Sequence, residues 1–223
     1  MTSSSIPTPP IPMRNTMPND LFFDARPSRR TVTLGLAAGI AATVLPWRAL
    51  ALDTGSARAL VVEAVAQVNQ TINSGKSEQQ MYVEFERLFS RYADVRAIAR
   101  TALGVAARGA SQSELSAFTQ AYQGYIARKY GKRFREFVGS EIKVIDARPM
   151  KSAVEVISTA YLRNENPFEV RWHVSDRSGR PAFFNIIIEG VNMLASERAE
   201  IGALLDRNRG SIPALAEQLR RSS

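Results

Sequence analysis

Between residues 56 and 134 apolar positions recur every three or four residues, and beyond Gly139 they recur every two. The first period is that of an amphipathic helix and the second that of a strand with one covered face, so helices are expected to precede a sheet. Leu60, Val61, Ala64, Val65, Val68 and Ile72 mark the first helix, which Asn73-Ser74-Gly75 stops. Tyr82, Phe85, Leu88 and Phe89 mark a second, and Val95, Ile98, Ala99, Ala102 and Leu103 a third that ends within 104–109. Ser111 or Ser113 then caps a longer helix, with Glu114 at capping-box distance from Ser111. Phe118, Tyr122, Ile126, Tyr130 and Phe134 form its apolar face.

Ile142, Val144 and Ala147 begin the strand half, followed by Val154-Glu155-Val156-Ile157. The third strand alternates cleanly: Phe168, Val170, Trp172 and Val174 share one face, and Glu169, Arg171 and His173 the other. One face is therefore expected to be covered and the other wet. Turns are expected at 164–167 and 176–179. A last strand over 183–188 is apolar on both faces, and leads through Glu189-Gly190-Val191-Asn192-Met193 into a C-terminal helix carrying Ile201, Leu204 and Leu205. Helices first and an antiparallel meander after them predict an α+β fold. Glu189 is read as tethering its loop through backbone amides or an arginine, in preference to a headgroup contact or catalysis, and Gly190 as permitting a backbone geometry that a β-carbon hinders.

The chain before residue 52 reads differently. Residues 1–27 are rich in Pro, Ser, Thr and Asn without apolar period, a composition of disorder, and Met13 or Met17 is an alternative start. Ser28-Arg29-Arg30-Thr31-Val32 precedes an apolar run over 34–45, Pro46, and the small-residue site Ala49-Leu50-Ala51. Residues 28–51 therefore read as a signal peptide cleaved after Ala51, which delivers residues 52–223 to the periplasm. The run is shorter than the ~20 residues that span a bilayer. The paired arginines resemble the twin-arginine signal, but Val32 and Thr33 replace its usual Phe-Leu, so ordinary Sec export fits as well.

The formal charge of +8 falls to +5, from 24 basic and 19 acidic residues, once residues 1–51 are set aside. That surface favours anionic partners such as lipid headgroups, and falls short of a nucleic-acid binder. With no cysteine and one histidine, His173, thiolate chemistry and cysteine- or histidine-rich metal sites are excluded, and no cofactor is expected.

Two stretches resemble the MlaC family of periplasmic phospholipid-binding proteins, also called the toluene-tolerance auxiliary family. The first runs from Asp94-Val95 through Leu103-Gly104 to Ser111, Phe118, Tyr122 and Tyr130. The second is Ile186-Ile187-Ile188-Glu189-Gly190-Val191-Asn192-Met193, similar to a strand ending in Glu-Gly-Val-Ser-Met. Ala107 and Pro181 stand where the family usually has tryptophans, Asn185 where it has Asp and Asn192 where it has Ser, which marks a divergent branch. The resemblance implies a cone like that of nuclear transport factor 2, with helices on a curved antiparallel sheet around an apolar lipid cavity. It also implies shuttling of phospholipid between an outer-membrane lipoprotein complex and an inner-membrane ABC transporter. A related subgroup in hopanoid clusters makes a triterpenoid an alternative cargo, and a protein-only adaptor is a third reading.

On this reading Ala99, Leu103, Tyr122, Ile126, Tyr130, Phe134, Val156, Trp172, Val174, Ile186 and Ile188 are the candidate lipid-lining residues. An aromatic stripe at helical spacing is also what plain core looks like, so Tyr122, Ile126, Tyr130 and Phe134 fit either role. Arg128, Lys129, Lys132, Arg133 and Arg135 read first as a solvated helix face, then as a membrane or transporter dock, and last as a nucleic-acid patch. His173 reads as a surface histidine without a catalytic role; the competing enzyme reading pairs it with Glu155, Glu169 or Asp176.

Overall fold

The structure, a computed structural model, describes residues 52–131, 138–163 and 165–222, all within the compact unit Trp47–Ser223. The expectations at 1–51 and at Lys132, Arg133, Phe134, Arg135 and Asn164 lie outside these residues. Each helix opens on a side chain suited to satisfying its unpaired amides. Asp53 caps α1 (Thr54–Ile72), and Ser77 with Gln80 forms a capping box on α2 (Glu78–Tyr92). Asp94 caps α3 (Val95–Leu103), which Gly104, at φ +65°, turns into the 3₁₀ turn Gly104–Arg108. Ser111 is the cap of α4 (Gln112–Gly131): its N–H donates to Glu114 Oε2 at 2.9 Å, and the Glu114 N–H donates back to Ser111 Oγ at 3.2 Å.

The C-terminal helix expected from Ile201, Leu204 and Leu205 is α5 (Met193–Arg207), and the structure adds α6 (Ile212–Arg221) after it. Arg209 and Gly210 both adopt positive φ and break the helix, and Ser211 caps the next one. Leu215 and Leu219 of α6 are fully buried.

Five antiparallel strands follow in chain order: β1 (Glu141–Met150), β2 (Ala153–Tyr161), β3 (Phe168–Ser175), β4 (Ala182–Ile188) and the short β5 (Val191–Asn192). The α+β order expected from the change of period is thus the order observed. Val156, Trp172 and Ile186 lie opposite one another across β2, β3 and β4, and set the inner face. Two bulges bend the sheet, one at Ile145 in β1 and one at Phe184 in β4. The second explains why β4 is apolar on both faces: Phe183 pairs with inward Val174 and Ile186 with inward Trp172, while Phe184 lies against His173 on the outer face.

Glu189 and Gly190, at φ +49° and +81°, form the two-residue turn between β4 and β5. The loop is tethered by the Glu189 N–H, which donates to the Glu169 carbonyl at 3.1 Å, and the carboxylate points to solvent. Backbone rather than side chain therefore does what was expected of Glu189. Asn192 ends β5 and caps α5, its side chain accepting from the Ala195 N–H.

Helices α1, α3 and α5 lie against strands, whereas the main neighbours of α4 are α2, α3 and α6. Arg180, in the turn between β3 and β4, donates to the carbonyls of Ser90, Arg91 and Ala93 at the end of α2. The Asp94 N–H donates to the Phe183 carbonyl at 2.8 Å, so the α2–α3 junction is fastened to β4.

The outer face of the sheet is wet at Glu169, as expected, and half-buried at Arg171, but it is covered around His173. Glu155 is only 6% exposed and Asn185 7%, and the His173 side chain 13%. Arg148 from β1, Phe184 from the bulge and the start of α5 close over them.

Candidate lipid-binding face

Seven of the candidate lining residues are buried in one core: Ala99 and Leu103 of α3, Tyr122 and Ile126 of α4, Val156 of β2, and Trp172 and Val174 of β3. Tyr130, Ile186 and Ile188 are half-buried against that core. Phe134 lies outside the described residues. The Trp172 ring meets Phe183 edge to face at 5.4 Å, and its Nε1–H donates to Ser158 Oγ at 2.9 Å. Ser158 in turn donates to the Val170 carbonyl at 3.1 Å. A tryptophan placed among apolar neighbours needs a partner for its N–H, and Ser158 supplies it from the same face. The sequence signal for Ser158 was its position two residues beyond Val156 in an alternating strand.

A polar seam joins α4 to α5 at the edge of this face. Lys129 Nζ donates to Glu197 Oε1 at 2.6 Å and to Glu200 Oε2 at 2.5 Å, and the Tyr130 hydroxyl donates to Glu197 Oε1 at 2.5 Å. The Tyr125 hydroxyl donates to Glu200, and Lys129 lies 5.5 and 5.4 Å from the Tyr125 and Tyr130 ring centroids. Burial first, and the hydrogen bond to Glu200 second, push the Tyr125 phenol up to about 12. Burial works against the Lys129 ammonium, but its bonds to Glu197 and Glu200 outweigh that and raise its pKa above the ordinary lysine value. Glu197 escaped sequence reading although it lies four residues before Ile201, on the buried face of α5.

This seam also corrects the reading of the basic cluster as a solvated face, at the two members that the structure describes. Lys129 is held by Glu197 and Glu200, and Arg128 donates to the Leu219 and Ser222 carbonyls at the end of α6. Both side chains bind helices together.

On the outer face, Glu155 pairs with Arg148 at 2.5 Å and lies 3.4 Å from His173 Nε2. Asn185 Nδ2 lies 3.5 Å from His173 Nδ1, and Asn185 Oδ1 accepts from the Leu194 N–H at 3.2 Å. Of the three carboxylates weighed as partners of His173, Glu155 is the one beside it. Among the described residues no hydroxyl bonds either ring nitrogen, and the arrangement links β1, β2, β3, β4 and α5.

Two hollows on the described surface are bordered by none of the candidate lining residues. One lies along α6, lined by Asn208, Glu217 and Arg221, and the other between the starts of α4 and α6. No helix of the described residues is long and apolar enough to cross a membrane.

Residues 62–221 match the MlaC protein family. The chain belongs to the MlaC family. Among solved structures, a similar fold appears in a phospholipid-binding protein from Ralstonia solanacearum, solved in complex with a phospholipid. The two are 19% identical, with a TM-score of 0.63 over 74% of this chain and 94% of that one. At that identity the likeness is one of fold.

Proposed function

We propose that this chain is a periplasmic phospholipid carrier, which takes acyl chains between the inner face of the sheet and helix α4 and passes lipid between an outer-membrane lipoprotein complex and an inner-membrane ABC transporter. The observation that carries the reading is the apolar surface made by Val156, Trp172 and Val174 on one side and Ala99, Leu103 and Ile126 on the other, in a chain of the MlaC family. Burying one acyl methylene is worth about 0.8 kcal/mol, so ten methylenes suffice for tight retention. Among the described residues these side chains are buried against one another in one core, so a lipid must separate them to enter. A protein-only adaptor with a permanently filled core is the reading that the same packing favours.

Native mass spectrometry of the protein purified from periplasm, before and after organic extraction, separates them. A bound species that extraction removes and fragmentation identifies as diacyl phospholipid is the expected result. A triterpenoid would replace the cargo, and an unliganded mass in every preparation would favour the adaptor. Export is tested separately by N-terminal sequencing, with a start at or near Leu52 expected. Loss of export in the Arg29→Lys, Arg30→Lys double variant would support the twin-arginine route.

A further inference from the structure

Among the candidate lining residues that the structure describes, one side-chain polar atom is buried without a partner. Tyr122 is fully buried, and among the described residues its hydroxyl has no hydrogen-bond partner. A buried hydroxyl without a partner destabilises the fold, because it has given up its bonds to water and gained none. A phenylalanine would fill nearly the same volume without that cost. The Phe118 and Tyr122 rings stack at 5.7 Å, and Tyr125 lies 6.4 Å away on the other side.

The nearby seam does not absorb the hydroxyl. Glu197 Oε1 is taken by Lys129 and Tyr130, Glu200 by Lys129 and Tyr125, and the second oxygen of Glu197 is itself unpaired and buried. Burial, reinforced by the charge of Glu197, raises the phenol far above its ordinary range, so it keeps its proton and can donate. Tyr122 is thus a buried donor without a bonded acceptor, in the same core as Ala99, Leu103, Ile126 and Val156.

We infer that Tyr122 is the specificity-determining residue of the lipid site, its hydroxyl donating to a carbonyl oxygen of an acyl ester once a lipid lies between α4 and the sheet. The inference rests on the carrier reading above and sharpens it to a ligand class. An ester-linked lipid brings a carbonyl acceptor to that depth, whereas an ether-linked lipid offers only the weaker ether oxygen and a hydrocarbon triterpenoid offers none. A site that contains a hydrogen-bonding group discriminates against the analogue lacking the complementary atom, because the protein group is then buried unsatisfied.

The test uses the exported protein stripped of lipid by organic extraction and refolded, then incubated with vesicles of dioleoylphosphatidylglycerol or of its dialkyl ether analogue. Bound lipid is counted by native mass spectrometry. The wild type is expected to retain the diester over the diether by roughly three- to tenfold, the range of one net hydrogen bond. Tyr122→Phe is expected to bind both equally, at the level of the wild type with the ether. Its lipid-free form should melt no lower than the wild type, since it removes only an unpaired hydroxyl. Equal retention of diester and diether by the wild type, or an undiminished ester preference in Tyr122→Phe, overturns the assignment while leaving the carrier intact. If the wild type retains neither lipid, the carrier reading falls and this inference with it.

Discussion

At neighbouring positions of the same strands, Val156, Trp172 and Val174 turn inward while Glu155, His173 and Asn185 turn outward, and both sets end up largely shielded from water. The inner set is covered by helix side chains and, apart from the Trp172–Ser158 bond, makes only apolar contacts. The outer set is covered by its own hydrogen bonds, with Arg148 on one side and the start of α5 on the other. Burial without paired polar groups is what an acyl chain can replace, because parting such a surface breaks no directional bond. Burial by a closed polar network resists opening, since each group that loses its partner is left to water or to nothing. The first face is suited to taking a ligand and the second to holding strands and α5 together.

The sharpest way to break this comparison is a charge on the inner face. Trp172→Arg or Val156→Glu is expected to abolish lipid retention and to cost several kcal/mol of stability, on the order of 3–5, because the charge is buried without a partner. Retention of lipid by a folded Trp172→Arg protein, judged by native mass spectrometry with circular dichroism, would remove the inner face as the lipid site. On the outer face, Asn185→Ala removes the acceptor of the Leu194 N–H and a neighbour of His173. It is expected to lower stability by about 1–2 kcal/mol in urea unfolding, with lipid retention unchanged.

A smaller effect tests the α4–α5 seam. Burial works against the ionised form of Glu200, but hydrogen bonds from Lys129 and Tyr125 outweigh it and hold its pKa below the ordinary carboxylate value. A folded pKa below the unfolded one contributes stability above the unfolded value, about 4.3, and that stability is lost as pH falls through the lower folded pKa. Glu200→Gln should therefore melt below the wild type near neutral pH, and the gap should close toward pH ~3. Because the side chain is 43% exposed, screening keeps the difference below about 1 kcal/mol. The smallest effect is expected from His173→Ala, whose ring makes only long contacts of 3.4 and 3.5 Å. Stability should change by about 0.5 kcal/mol. Lipid retention should not change, and its loss from a folded variant would put the site on the outer face.

Much of the architecture was legible because it depends on local periodicity. Helices α1 to α5, the strands β1 to β4, the end of α3 within 104–109 and a serine cap on α4 follow from apolar spacing and from side chains that satisfy amides within a turn, both properties of short segments. The same spacing identified which residues of β3 share a face, Phe168, Val170, Trp172 and Val174, while their pairing with Val156 across β2 came from the register. What escaped were features created by residues far apart in the chain. Helix α6 depended on a break at Arg209 and Gly210 that composition did not distinguish from a helix end. The covering of Glu155 and His173 depended on Arg148 and on α5, which alternation within one strand does not report.

By itself the sequence determined the α+β order, the inward set of strand residues and the apolar stripe of α4, because hydrophobic periodicity is imposed by the backbone geometry of each element. Only the tertiary structure decided which polar groups have partners. Lys129 and Arg128 were drawn into contacts between helices, Ser158 was matched to the Trp172 N–H, and the buried Tyr122 hydroxyl was left without a partner among the described residues. A hydrogen bond requires its two atoms to meet within about 3.5 Å, and for groups on different elements that distance is set by packing and not by spacing along the chain.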